Sequence, residues 1–266
     1  MSSSATFSLK PDWLLLRVLR GGAELTHGWA SQNDYDVRFE WGASGVTALV
    51  HDVAVVVIVD VLRFTTAVAA AVSRGAVVYP YRSRDDAARS FAASIGAVLA
   101  DGDSATAPSL SPLSLLHLRD GERVVLPSPN GSTCASLAAE SGATVVAACL
   151  RNAGAVADWL RGRSQPVLIV AAGERWPDDS LRPAVEDLVG AGAVIDALGE
   201  RASPEGAAAA RAWRGVAADT PAFLSSCSSG RALISTGRLE DVRYASQVNA
   251  SRAVPVLVDG AFRLVR

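Results

Sequence analysis

Residues 53–60, Val-Ala-Val-Val-Val-Ile-Val-Asp, form an uninterrupted apolar run, almost all of it β-branched, with no polar alternation. A strand that is apolar on both faces has to be buried on both faces, as it is inside a parallel sheet covered by helices. The same grammar recurs along the chain. Thr65 and Thr66 lead into AVAAAVSRG, a small-residue helix closed by Gly75. AVVYPY (76–81) is the next strand, and SRDDAARSFAASIG (83–96) is a helix with Ser83 as its candidate cap and Gly96 as its end. A linker rich in Ser, Ala and Pro spans 101–112. The alternation then resumes, with strands at 123–128, 143–150 and 166–173 and helices at 130–142 and 151–162. Residues 184–200 and 203–216 read as helices, and a strand pair lies around 254–258 and 261–265. Residues 1–50 are irregular, and their Gly-Gly, Asn-Asp and Trp-Gly steps predict short strands and loops.

This order predicts an α/β fold, a three-layer α/β/α arrangement with a largely parallel sheet. SRGAVVYPY and ESGATVVAACL both place a glycine just before a β-branched strand, which predicts two similar halves. The expected segments are an N-terminal irregular and strand segment (1–50), a first α/β half (51–112), a second α/β half (113–200), and a C-terminal helix and strands that complete the sheets (201–266).

Composition narrows the partners. With 266 residues, half of them hydrophobic, the chain can bury a large core without disulfide or metal staples. A net charge of −2 lacks the basic footprint that nucleic-acid binding needs, so nucleic acid is not expected as a partner. The run from Val53 stops at Asp60, far short of the ~20 residues that span a bilayer. MSSSATFSLKPDW lacks the basic flank and apolar stretch of a secretory signal, and Cys134, Cys149 and Cys227 form no Cys-x-x-Cys pair. The expectation is a cytoplasmic protein with no membrane contact and with a second copy of itself as one candidate partner.

Four places combine strand ends with polar groups. Ligands in open α/β sheets bind beyond the carboxyl ends of strands, which singles out Asp60-Val-Leu-Arg63-Phe-Thr65-Thr66. There a carboxylate can hold magnesium, an arginine can fork two anion oxygens, and the threonines add donors at a helix N-terminus. The plain alternative is that Asp60 and Thr65 only cap the helix. Ser128-Pro-Asn130-Gly131-Ser132-Thr133 has the composition of an anion nest at a second such place. Glu186 and Asp187 are adjacent acids in an apolar stretch, and helical geometry lets only one of them face a site. Ser228-Ser229-Gly230-Arg231 can grip an anion or serve as an ordinary turn and cap.

Several chemistries are absent. No Gly-x-Gly-x-x-Gly, Walker A or Gly-x-Ser-x-Gly sequence occurs, and His27, His51 and His117 lack metal-ligand spacing. Aspartate-nucleophile phosphatases of the haloacid dehalogenase type need a second Asp two residues on, where this chain has Leu62. They also supply a lysine, and Lys10, the sole lysine, precedes any core strand.

From about residue 50 onward, the ordered set DVLRFTT (60–66), SPNGST (128–133), CLRNA with Asn152, AAGE (171–174), VEDLVGAGA (185–193) and SSGR (228–231) resembles the magnesium-dependent 2-phosphosulfolactate phosphatases. The resemblance implies magnesium-dependent hydrolysis of a small phosphorylated, sulfonated organic acid. Carried over, it makes Asp60 a metal ligand or the nucleophile and Arg63 a clamp on substrate anions. Thr65, Thr66, Asn130, Gly131, Ser132, Asn152 and Arg231 become substrate contacts, and Glu186 and Asp187 complete the metal site with Asp60. The chain departs from the family at ADGDSA (100–105), where Asp103 stands near a family glutamate, and at SLSP (109–112), where Leu110 replaces an asparagine. The alternatives are a catalytically lapsed relative that binds a small anion or acts as an interaction protein, and a phosphotransferase with an acceptor other than water.

Overall fold

The computed structural model describes residues 28–102, 107–163 and 165–265. It separates into two units, Met1–Ser31 and Gln32–Arg266. Of the first, Gly28–Ala30 form one 3-10 turn, and the architecture below belongs to the second. Lys10, His27 and Asp103 lie outside the described residues.

The chain opens with β1 (Val37–Trp41), α1 (Gly42–Leu49), β2 (Val55–Val59), α2 (Phe64–Ser73), β3 (Val77–Tyr81), α3 (Asp86–Ser94) and the short β4 (Val98–Leu99). Next come α4 (Pro112–Leu115), β5 (Arg123–Pro127), α5 (Gly131–Glu140), β6 (Thr144–Ala148), α6 (Ala153–Arg161) and β7 (Val167–Ala171). A small hairpin, β8 (Glu174–Arg175) and β9 (Leu181–Arg182), leads into α7 (Val185–Leu198), α8 (Pro204–Val216), α9 (Thr220–Ser226), α10 (Ser228–Ser235) and α11 (Leu239–Ala245). The last hairpin is β10 (Pro255–Val258) with β11 (Ala261–Leu264).

Nine strands form one mostly parallel sheet in the order β1-β7-β2-β6-β10-β11-β3-β5-β4, giving the expected three-layer α/β/α architecture. The unbroken apolar run is its central strand. Val55, Val57 and Val59 of β2 face a layer containing α6, α7 and α8, while Val56 and Ile58 face a layer containing α1, α2 and α5. Strands from residues 51–112 and 113–200 interleave: β2 lies between β6 and β7, and β3 lies beside β5. The sheet is two parallel blocks joined by the β10–β11 hairpin, each strand of which is antiparallel to the block it touches. Three successive antiparallel pairings make β3, β5 and β4 run opposite to β2, β6 and β7. The sheet nevertheless curls, so that α5 packs against both β2 and β3.

Three local expectations change. The irregular N-terminal segment contains a helix, α1, whose sequence GASGVTAL has poor helix formers and is held by burial of Val46 and Leu49. The cap of α3 is Asp85, whose carboxylate accepts from the Ala88 N–H at 2.9 Å, while the Ser83 hydroxyl donates to Asp85. A carboxylate is the stronger partner for a helix N-terminus. The linker also contains one helical turn, α4. Gly75 and Gly96 do follow their helices with φ of 79° and 63°, the left-handed geometry that favours glycine. His51 and His117 are exposed, the three cysteines are buried free thiols, and no helix among the described residues is long and apolar enough to cross a membrane.

The α7–α8 contact depends on Gly192, where a Cβ would stand 2.1 Å from the Ala209 carbonyl oxygen. Gly192→Ala is therefore expected to lower stability by about 1–3 kcal/mol, the usual penalty for overpacking. Gly215→Ala, in α8 with open space around it, is expected to be neutral or stabilising by up to about 1 kcal/mol. Urea unfolding of the two variants checks the contrast.

Candidate active site

Asp60 ends β2 and is 6% exposed. Its Oδ1 accepts from the Phe64 N–H at 2.9 Å and its Oδ2 from the Gly131 N–H at 3.0 Å. The carboxylate thus caps two helices, α2 and α5, satisfying donors that each helix start leaves open. The Asp60 N–H donates to Thr65 Oγ1, whose hydroxyl donates to the Asp60 carbonyl at 2.7 Å, and the Thr66 hydroxyl donates to the Val61 carbonyl at 2.7 Å. Both threonines are fully buried. They lock the strand-to-helix corner instead of reaching a ligand, so the capping alternative describes them.

The expected anion nest is already filled from within the chain. Gly131 gives its amide to Asp60, and a Cβ there would lie 2.3 Å from the Phe64 ring and 2.7 Å from Asp60 Oδ2. Ser132 is buried, with its hydroxyl donating to the Leu126 carbonyl at 3.3 Å. Asn130 does face the opening: its Nδ2 donates to Glu174 Oε2 at 2.9 Å, and its Oδ1 accepts from Arg175 Nε at 3.2 Å.

Glu186 and Asp187, in the first turn of α7, are both buried, at 2% and 3% exposure. Both are hidden from solvent although Val185 in the same turn is exposed, and their environments differ. Asp187 accepts from the Val61 N–H at 2.7 Å and the Gly173 N–H at 2.9 Å, tying together the loops after β2 and β7. Glu186 Oε2 has no hydrogen-bond partner.

Burial pushes the Asp60 carboxyl up to about 7, reinforced by the charges of Glu174 and Glu186 against the opposing pull of the two amides. Asp187 is raised well above the usual range by burial, then by Asp60 and Glu186. Glu174 is raised by burial and by Glu186, against the pull of Asn130 and Arg182. These four acids therefore share one electrostatic neighbourhood.

Among the described residues no three His, Cys, Asp or Glu side chains are gathered into a coordinating group. Asp187 has both oxygens engaged by backbone and serves as a strut. What a cation would find is the unpartnered Oε2 of Glu186 and the remaining lone pairs of Asp60, whose two oxygens, like those of Asp187, each already accept one amide. Such oxygen donors suit a hard cation that keeps several waters and takes one or two protein carboxylates.

The remaining sequence candidates are placed elsewhere. Arg63 is paired at 2.5 Å with Asp241, whose other oxygen accepts from the Ser111 hydroxyl, so its charge is already compensated. Asn152 is fully buried, with Oδ1 accepting from the Cys149 N–H and Nδ2 donating to the Ala147 and Ala253 carbonyls. Both of its donors are engaged, which makes it a structural tie and not a ligand contact. Arg231 is exposed on α10, and no contact among the described residues brings it to the carboxylates. The SSGR segment begins α10 with Cys227 as its cap, as the turn-and-cap alternative has it. That Cys227 thiol is pushed up to about 11 by burial and by Glu186.

A cleft of about 250 Å³ opens beside this group, bordered by Trp41, Ser44, Asn130, Thr133, Glu174 and Arg175. Glu174 and Arg175 were not singled out as site residues from sequence. The available signal was the acid that follows Ala-Ala-Gly at the end of β7.

Two outcomes test this geometry. Gly131→Ala is expected to lower stability by about 1–3 kcal/mol, since the added methyl collides with the Phe64 ring and the Asp60 carboxylate, measurable by thermal unfolding. With chelator present, the folded protein holds a proton on Asp60 that the unfolded chain releases near its ordinary value of 3.8. That contribution to stability is full below about pH 4 and is lost as pH rises to about 7. Asp60→Asn is expected to flatten this decline in denaturant titrations.

The family model described as 2-phosphosulpholactate phosphatase matches residues 46–260. A Deinococcus radiodurans protein named "Probable 2-phosphosulfolactate phosphatase" is 32% identical, over 77% of this chain and 88% of its own length. Proteins of the same name from Carboxydothermus hydrogenoformans (75% and 84%) and Thermus thermophilus (76% and 87%) are also 32% identical. With the match running from within α1 to the turn after β10, this chain belongs to the 2-phosphosulfolactate phosphatase family.

Proposed function

We propose that this protein hydrolyses 2-phosphosulfolactate to sulfolactate and inorganic phosphate, with magnesium, in the cytoplasm. The observation that carries the reading is Asp60: a buried carboxylate at a sheet's strand end, grouped with Glu174 and Glu186, in a chain whose relatives are named for this reaction. Asp60 and Glu186 are the residues that would hold the metal. When bound, a divalent cation would neutralise charge on the phosphoryl oxygens and on the buried acids.

The chain's own residues supply position and proton handling. Asp60 has both oxygens fixed by amides, so it acts as a stationary ligand and water is the nucleophile. The water oxygen bonds to phosphorus as the ester P–O bond breaks; the water gives up one proton and the leaving alkoxide takes one to become the sulfolactate hydroxyl, with no net proton gained or lost. Glu174 borders the cleft with its Oε2 held by Asn130, and its raised carboxyl can carry that proton at Oε1. Its position fits an acid–base role better than a structural one. The free thiols of all three cysteines accord with a reducing compartment.

A lapsed relative is disfavoured on physical grounds. Uncompensated buried acids destabilise a fold, and apolar residues in their place would be more stable. The presence of Asp60, Glu174 and Glu186 together is what a working site requires.

Phosphate release from racemic 2-phosphosulfolactate, assayed with magnesium and with chelator, tests the reading. Release is expected to need magnesium and to fall at least about 100-fold in Asp60→Asn, the scale of losing a charge-stabilising group at a reacting centre. A folded native protein that releases no phosphate overturns it.

A further inference from the structure

A sulfonated phosphoester brings two acidic groups besides its phosphate, and the acid cluster offers nothing to receive them. Arg63, the cation of the strand-end motif, is neutralised by Asp241. Arg182 donates to Ser229 and offsets Glu174. One cation is left at the opening. Among the described residues that border the cleft, Arg175 is the sole positive charge.

Two features set Arg175 apart. Its Nε and Nη2 donate to neutral acceptors, the Asn130 amide oxygen at 3.2 Å and the Pro129 carbonyl at 2.9 Å. These bonds fix the guanidinium's plane without cancelling its charge. Of the two acids nearby, Glu174 is bonded to the other end of the Asn130 amide, and Asp179 is 3.7 Å away and 86% exposed, a pairing that water largely screens.

Its location relative to Asp60 is also constrained. Asn130, which holds Arg175, directly precedes Gly131, whose amide is bonded to Asp60. Cys134, one turn along α5, feels the charges of both Asp60 and Arg175. The two groups therefore flank the first turn of the same helix. A cleft of about 250 Å³ suits a three-carbon acid and is below the usual size of pockets for larger ligands.

Building on the phosphatase reading above, we propose that Arg175 is the specificity-determining residue, binding the acidic group of the substrate that lies beyond the phosphate, its sulfonate or its carboxylate. The planar fork suits either group. The hairpin β8–β9 thus places a substrate-reading residue next to Glu174, over the start of α5.

The test compares native protein, Arg175→Gln and Arg175→Lys on three esters: 2-phosphosulfolactate, 2-phospholactate and p-nitrophenyl phosphate, which has no second acidic group. For Arg175→Gln, the ratio of kcat/KM for 2-phosphosulfolactate over p-nitrophenyl phosphate is expected to fall about 10- to 100-fold, the worth of a charge-assisted hydrogen bond, and to do so mainly through KM. Arg175→Lys, which keeps the charge, is expected to lie between the native protein and Arg175→Gln. A matching fall for 2-phospholactate assigns the carboxylate to Arg175, and a fall confined to 2-phosphosulfolactate assigns the sulfonate. An unchanged ratio, or both variants losing activity equally on all three esters, overturns the assignment by showing that Arg175 only shapes the Pro129–Asn130 turn. Native protein that releases phosphate from none of the three overturns the phosphatase reading, and this assignment with it.

Discussion

The Asp60 carboxylate sits where three chain segments have to meet. One oxygen closes the first turn of α2 and the other closes the first turn of α5, although the strands that precede those helices belong to blocks running in opposite directions. A neutral side chain could fill the space but not both roles, because each helix start offers N–H groups and a partial positive charge. Gly131 has to be glycine because the carboxylate and the Phe64 ring occupy the volume of a Cβ. The curl of the sheet and the closeness of the two motifs thus converge on one pair of hydrogen bonds.

That arrangement concentrates negative charge in a dry place. Asp187 braces the loops after β2 and β7 with the same kind of amide contact, and Glu186 beside it is left with an oxygen that nothing satisfies. A protein evolving for stability alone would pair or remove such groups. Here Arg63 is paired with Asp241, which also takes the Ser111 hydroxyl, and among the four acids it is Glu174 that has an arginine, Arg182, offsetting it. Structural and chemical duties are divided within single motifs. The threonines hold the backbone, Asp60 and Asp187 each take two backbone amides, and Glu186 keeps one oxygen without a partner.

Much of this was legible in sequence. β-branched runs found the central strands, because an apolar run with no alternation has one comfortable environment, and glycines marked helix ends where φ turns positive. Asp60 and the adjacent acids were visible because charged residues interrupt otherwise apolar stretches. The reversed block was not, since it follows from three non-local pairings that leave no local pattern in β3 or β5. Helix α1 was missed because GASGVTAL has low intrinsic propensity and forms through burial. Roles within motifs were also hidden. Whether Thr65, Asn152 or Arg63 faces a ligand or the backbone depends on partners as distant in sequence as Ala253 and Asp241. Glu174 ends AAGE with no role legible there and Arg175 lies outside every motif, because their importance comes from the hairpin's contacts with Asn130.

The β10–β11 hairpin carries a burden out of proportion to its size. Among the described residues it is the strand pair that joins the two parallel blocks within the sheet, lying between β6 on one side and β3 on the other. Until residues 255–264 have been synthesised and inserted, both of those strands present bare edges of unpaired amides and carbonyls, the kind of surface on which chains stick to one another. A nascent or truncated chain would therefore hold nearly all of its secondary structure and still have two open seams. For this fold the completeness of the sheet rests on ten residues, 255–264, and a chain lacking them exposes strand edges at which chains associate.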